Sequence, residues 1–320
     1  MEKVHIMMAT YNGEKYLREQ LDSIVDQTYK NWVLYVSDDL SSDNTVSIIQ
    51  EYCKKYPQKI ILLDYKTKKG GASSNFSYLF NNIDKADYYM FSDQDDKWKP
   101  NKIEKSIEII KSMKKSGLKN NLVYCDAELV DGNMNSMGTT FITNDNLVFK
   151  EDNRPGILIY NFAAGAAMLL DNDLYEIIGR IPECSHIHDW YCMIYAIYFG
   201  NVRCIKDELY YYRQHQGNVY GAKDKITVKW LKNYFKENSI SGTYRRLKKQ
   251  SRDLLIAQHR VIEYVYQHSK QNMSIENKNI MQAYLSLFEK KSKLKKISII
   301  IKNKFYMNRF IDTILLMIVV

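Results

Sequence analysis

The stretch Tyr88-Tyr89-Met90-Phe91-Ser92-Asp93-Gln94-Asp95-Asp96-Lys97-Trp98 runs from an apolar segment directly into three carboxylates. An uninterrupted apolar run suits a strand buried on both faces, as parallel sheets contain. Carboxylates this close repel one another, so a fold keeps them together only where something positive compensates. A short turn at a strand's end can aim two of them at one oxygen-preferring cation such as Mg2+ or Mn2+. Such an ion keeps open positions for substrate phosphates. An isolated acidic triplet is more often a solvated turn. Here the strand-end position, with Trp98-Lys99-Pro100 closing the loop, favours a metal site serving a phosphorylated donor. An EF-hand is excluded, since no calcium loop with its Gly and final Glu follows.

Working outward, the first half alternates strand and helix signals. Val4-His5-Ile6-Met7-Met8 predicts a strand that ends at Thr10-Tyr11-Asn12-Gly13. Leu17, Leu21, Ile24 and Val25 then recur at helical spacing. Trp32-Val33-Leu34-Tyr35-Val36 predicts a second strand, and Asp43-Asn44-Thr45 a helix start. Ile60-Ile61-Leu62-Leu63 predicts a third strand, Ser73-Ser74-Asn75-Phe76 another helix, and Tyr88 to Phe91 the fourth strand. The β-α-β-α-β-α-β order implies an α/β fold with a largely parallel sheet covered on both faces. Such sheets bind ligands at the carboxyl ends of their strands. Three polar clusters fall there: Thr10-Tyr11-Asn12, Asp38-Asp39 and Asp93-Gln94-Asp95.

The 320 residues exceed one average domain, and four prolines with 45% hydrophobic residues fit neither a disordered nor a fibrous chain. Five widely spaced cysteines without Cys-x-x-Cys point to a reducing compartment. Met1-Glu2-Lys3 leads straight into a strand with no visible signal peptide, so a cytoplasmic location is expected. The net charge of +9 is uneven: residues 222–320 hold 21 Lys and Arg against 7 Asp and Glu, whereas the rest is net negative. The basicity thus belongs to the tail, and the likely catalytic domain is expected over 1–221. A basic helical extension is expected over 222–320.

Several motifs carry two readings each. A carboxylate at Asp38 or Asp39 can accept the ring N–H of a pyrimidine, or belong to a loop that caps a helix. Lys69-Gly70-Gly71-Ala72-Ser73-Ser74-Asn75 is a glycine turn at a helix N-terminus, a usable anion site matching neither the P-loop nor the dinucleotide fingerprint. Gly165 permits a close backbone approach to a ligand, or tight packing, the better supported of the two. Asp189, in His188-Asp189-Trp190 before an apolar helix, is either an N-cap or a general base. Tyr212-Arg213-Gln214-His215 adds a cation and an imidazole after the strand Glu208 to Tyr211.

Together, Ala9-Thr10-Tyr11-Asn12-Gly13, Gln20 to Tyr29, Asp38-Asp39 and Ser92-Asp93-Gln94-Asp95-Asp96 resemble a family-2 glycosyltransferase with the GT-A fold, over residues 3–220. With His188-Asp189-Trp190 and Tyr212-Arg213-Gln214-His215, the chain looks most like the bacterial polysaccharide rhamnosyltransferases. The resemblance implies a GT-A nucleotide-diphospho-sugar transferase sandwich and inverting transfer of a sugar, with L-rhamnose from dTDP-rhamnose as the favoured donor and a UDP-hexose as the alternative. The acceptor it implies is lipid-linked or a glycan, in capsule, cell-wall or O-antigen synthesis. It implies a nucleotide-binding part over 1–126 and an acceptor-binding part over 127–221, and that Thr10, Tyr11, Asn12, Asp38, Asp39, Asn75, Asp93 and Arg213 bind the nucleotide. It further implies that Asp93, Asp95 and His215 hold Mg2+ or Mn2+, and that Asp189 is the base.

Leu40 stands where the family commonly has glycine, so the turn after Asp39 is expected to avoid a left-handed conformation. Leu247, Leu254, Leu255, Val261, Ile262 and Val265 predict an amphipathic helix in the tail, and Lys290 to Lys304 is strongly basic around Ile297, Ile299, Ile300 and Ile301. Basic amphipathic helices bind anionic lipid, so peripheral contact with the inner face of the cell membrane is expected, or packing within the protein or in a homo-oligomer. The tail's interleaved Ile, Leu and Phe argue against a nucleic-acid partner. Ile314 to Val320 is apolar but far short of the ~20 residues that span a bilayer.

Overall fold

In the computed structural model, which describes residues 1–145, 151–161, 163–182, 187–215, 240–306 and 313, every residue of strand β1 (Val4–Thr10) is buried. Successive side chains of a strand point to opposite faces, so both faces of the sheet are covered at β1. Strands β2 (Trp32–Asp38), β3 (Ile60–Asp64) and β4 (Tyr88–Ser92) flank it in the order β3-β2-β1-β4, all parallel. Helices α1 (Glu14–Val25), α2 (Thr45–Lys55) and α3 (Ala72–Asn82) make the crossovers. Val4, Ile6, Met7 and Met8 are wholly buried, each contributing about 1.5–3 kcal/mol of burial.

The parallel order expected from the sequence holds for these four strands and then gives way to a mixed sheet. The chain continues through β5 (Lys97–Trp98), α4 (Lys102–Lys115), β6 (Asn121–Val130), β7 (Ser136–Thr140) and α5 (Phe141–Asp145). It resumes with β8 (Met168–Asp171), α6 (Asn172–Ile178), α7 (His188–Phe199) and β9 (Asn201–Arg213). Strand β8 enters between β4 and β6, antiparallel to both, and β9 runs parallel to β6. Strands β5 and β7 add antiparallel edges on β9 and β6. Because β8 runs backwards, its start lies at the rim where β4 ends. Strands β6 and β9 also end there.

The chain forms two compact units, residues 1–142 with 163–215, and residues 143–162 with 216–320. The expected boundary at 221/222 falls outside the described residues. In the second unit, α8 (Ile240–Ser269) carries the predicted amphipathic helix, followed by α9 (Ile275–Leu285) and α10 (Lys293–Lys302). Val261, Ile262, Val265, Met281, Tyr284, Ile300 and Phe305 are buried. Ser274 and Ser292 cap α9 and α10 by accepting the backbone N–H of Asn277 and Lys295. No helix among the described residues is long and apolar enough to cross a membrane. Ile314 to Val320 lies outside them.

One expectation is corrected at Leu40. Its φ is +63°, so the turn does adopt the left-handed conformation despite the missing glycine. The bonds that Asp38 makes to Ser41 just beyond it hold the turn in that shape. The left-handed region costs a branched side chain about 1–2 kcal/mol, and Leu40 is 44% exposed, which gives little burial in return. Leu40→Gly is therefore expected to raise stability by about 0.5–1 kcal/mol after the unfolded-state entropy of glycine is subtracted, as read by urea denaturation.

Candidate active site

The loops after β1 and β2 interlock at the carboxyl rim. The Asp38 carboxylate is buried and accepts from Thr10 Oγ1 at 2.8 Å, Ser41 N at 2.7 Å and Ser41 Oγ at 2.6 Å. Asn12 N donates to Ser41 Oγ at 2.8 Å, and Asn12 Oδ1 accepts from Ser42 N at 2.8 Å. The Tyr11 ring is left 56% exposed on this surface. Asp39 accepts from the backbone N–H groups of Lys69, Gly70 and Gly71. Backbone donors of the glycine turn are thus taken by the chain's own Asp39. Asn75 is buried and donates its amide to Ser37 O at 2.8 Å, which ties α3 to the end of β2.

The acidic turn follows β4. Burial, then the charges of Asp95 and Asp189, push the Asp93 carboxyl up to about 7. Asp96 lies beneath, fully buried, its carboxyl held well above the usual range by burial and by Asp93 and Asp95. The Arg213 N–H donates to Asp96 Oδ1 at 3.2 Å. Asp95 Oδ2 stands 2.8 Å from His215 Nε2, whose ring lies against Tyr16. Among the described residues no group of three His, Cys, Asp or Glu donors is already gathered as for a metal ion.

Arg213 is 2% exposed. Its Nε donates to Asp95 O at 2.8 Å, one terminal nitrogen to Gly132 O at 3.2 Å, and the other to Glu19, while the guanidinium lies 4.4 Å from the Tyr16 ring centre. Lys97 also bonds Glu19. Burial alone would raise the Glu19 carboxyl, but the bonds from Lys97 and Arg213 bring it below its usual range. The arginine expected at the nucleotide is thus engaged with the backbone of the acidic turn.

Asp189 lies in the first turn of α7, which begins at His188 rather than at Tyr191. It is not the N-cap, a position taken by Ile187. Its carboxylate accepts from Gly165 N at 2.8 Å and from Trp190 N at 2.6 Å. Burial raises it to about 6 despite those donors. A Cβ on Gly165 would stand 2.8 Å from His188 Nε2 and 3.3 Å from Asp189 Cβ. The glycine therefore serves the close packing favoured from the sequence, and it packs against the candidate base. His188 stacks on Phe76 at 4.1 Å, and burial lowers it to about 3, keeping it neutral.

Sequence reading missed Glu19 and Lys102 and gave Gln94 no role of its own within the acidic cluster. Glu19 carries no local signal, because its partner Arg213 is 194 positions away. Lys102 is wholly buried, with its ammonium 3.3 Å from Cys125 Sγ and 4.6 Å from the Tyr210 ring centre. It supplies some of the positive charge that the acidic cluster demanded. In sequence it resembles any first-turn lysine.

With a rim of this kind in a mixed α/β sheet, the family can be stated: residues 5–177 match the model for Glycosyl transferase family 2, and the chain belongs to that family. It is 32% identical over 235 residues to the dTDP-rhamnosyl transferase RfbG of Shigella flexneri, covering 70% of this chain and 76% of RfbG. An uncharacterized glycosyltransferase of Rickettsia typhi, RT0329, is 31% identical over 65% of this chain and 64% of its own length. Among solved structures, S. aureus TarS 1-349 in complex with UDP-GlcNAc superposes with a TM-score of 0.57 at 15% identity, covering 94% of this chain and 80% of that 1-349 fragment. That likeness concerns the fold alone.

Proposed function

We propose that this chain is an inverting, metal-dependent glycosyltransferase that moves L-rhamnose from dTDP-rhamnose to a lipid-linked or polysaccharide acceptor in capsule, cell-wall or O-antigen synthesis. The observation that carries the reaction class is a buried carboxylate, Asp189, fixed by two backbone N–H groups and raised towards neutrality by burial. The charge of that carboxylate also acts on the acidic turn. The name of the Shigella relative supports the donor.

In this reading Asp189 takes the proton from the acceptor hydroxyl as that oxygen attacks the anomeric carbon. The bond to the diphosphate breaks on the opposite face, and the sugar inverts. Tyr11 and Asn12 line the nucleotide on a loop that Thr10 holds through Asp38. Asp39 accepts the pyrimidine N–H by exchanging a backbone donor of the glycine turn. Asn75 serves the nucleotide indirectly, through the end of β2, and Arg213 serves it by holding Asp95. Asp93, Asp95 and His215 would hold Mg2+ or Mn2+, and when bound the ion neutralises charge on the leaving diphosphate. The repulsion between the Asp93 and Asp95 carboxylates suits a divalent cation, and His215 Nε2, hydrogen-bonded to Asp95 Oδ2 at 2.8 Å, would exchange that bond for the ion.

The test incubates the protein with dTDP-rhamnose and, separately, with UDP-glucose, UDP-galactose and UDP-N-acetylglucosamine. Release of dTDP is expected, abolished by EDTA and restored by Mn2+. Turnover of a UDP-hexose alone would replace the donor, and full activity in EDTA would remove the metal.

The membrane reading has its own support in α10, where Leu294 is 80% and Ile301 52% exposed among lysines. Apolar side chains flanked by cations suit an anionic bilayer, so we place the peripheral contact there. The full chain is expected to float with phosphatidylglycerol vesicles, and the Leu294→Asp, Ile301→Asp double variant is not. Equal flotation of both would move the contact elsewhere.

A further inference from the structure

Gln94, at the centre of the acidic turn, reaches across to the loop after β1. Its Oε1 accepts from Tyr11 N at 3.0 Å and its Nε2 donates to Tyr11 O at 2.9 Å. A side-chain amide thus closes a two-bond ring with one backbone residue, as a strand partner would. Both Tyr11 groups are matched only when the amide faces this way, so its orientation is fixed. Gly13 leaves the space for it. A Cβ there would lie 3.0 Å or closer to three atoms of the Gln94 amide. The Gly13 φ of −105° is open to any residue, so the requirement for glycine comes from this amide and not from the backbone.

We infer that Gln94 is a positioning residue, which fixes the spacing between the nucleotide-side loop carrying Tyr11 and the acidic turn carrying Asp93 and Asp95. The inference rests on the donor-binding reading above. If one donor spans both elements, the clasp holds its nucleoside end and its diphosphate end at a set separation before binding, so less ordering is left for the ligand to impose. A nucleoside monophosphate without metal engages only the first element and gains little from the clasp. The shorter Asn would not reach Tyr11, and Met keeps the length while removing both polar atoms.

The experiment measures binding of dTDP and UDP with Mn2+, and of dTMP and UMP without it, to the wild type, Gln94→Met, Gly13→Ala and the double variant. Each single change is expected to weaken diphosphate binding about tenfold, the loss of one to two net hydrogen bonds, and monophosphate binding less than twofold. Because both changes open the same clasp, the double variant is expected to match the weaker single, whereas independent sites would multiply. In turnover, the donor KM is expected to rise about tenfold with kcat falling less than threefold, a split that a general loss of fold would not give. Diphosphate affinity of Gln94→Met within twofold of wild type, or multiplicative losses in the double variant, would overturn the clasp while leaving donor binding intact. If the wild type binds neither dTDP nor UDP, the donor reading itself falls, and the clasp with it.

Discussion

Asp189→Asn is expected to lower transfer by about 10²–10⁴, the usual worth of a positioned general base, while dTDP binding in the presence of Mn2+ stays near the wild-type value. The asparagine is nearly isosteric but keeps an oxygen for only one of the Gly165 and Trp190 N–H groups, so the fold is expected to lose about 1–3 kcal/mol. The pH profile gives a second readout. A carboxyl raised to about 6 by burial must be ionised to accept the acceptor's proton, so wild-type activity is expected to fall below pH 6, about tenfold per unit. The residual activity of the variant would lack that limb. The stability sign is the reverse of the common carboxylate case. Folding raises this carboxyl from 3.8, so its contribution is most favourable below about 4 and is lost as pH rises towards 6. A variant that transferred sugar at the wild-type rate would remove Asp189 from the mechanism.

Arg213→Ala is expected to cost about 3 kcal/mol, at the lower end for breaking a buried ion pair because Glu19 is 38% exposed. Asp95 O and Gly132 O lose their Arg213 donor, and the Glu19 carboxylate keeps only Lys97. For a unit of this size the midpoint of thermal unfolding should drop roughly 6–12 °C. Arg213→Lys should recover less than half, because one ammonium cannot reproduce a fork that serves three separated acceptors. The difference from wild type is expected to depend on pH. Glu19 is lowered from its ordinary 4.5, so the stabilisation is present above that value and is lost as pH falls through the folded-state value. A gap between Arg213→Ala and wild type that stayed constant from pH 7 to pH 3 would show that the pair with Glu19 contributes nothing.

The parallel half of the sheet could be read from the chain because its strands are short apolar runs separated by periodic helices. The other half could not. β6 pairs with β8 and β9, far along the chain, and β5 is only two residues long. Pairings of that kind leave no periodic trace near either partner. The site shows the same division. Asp93, Asp95 and Asp189 could be named as candidates because three carboxylates crowd one strand end and a fourth opens an apolar helix next to a histidine. What each neighbour does was hidden, because it depends on atoms brought in from elsewhere. Asp39 meets the backbone of residues 69–71, Arg213 turns inward to Glu19, and Leu40 accepts a strained turn that Asp38 holds in place.

The reversal of β8 has an architectural outcome. The strands that carry candidate site residues end on one rim, and α7, with Asp189 in its first turn, begins beside the start of β8, so the candidate site lies on one side of the sheet. The opposite rim, where α4 gives way to β6 around Ser116-Gly117 and β4 begins at Tyr88, carries none of it. Loops there can lengthen at small entropic cost. Within this unit, that is the side on which an insertion lies farthest from the candidate site.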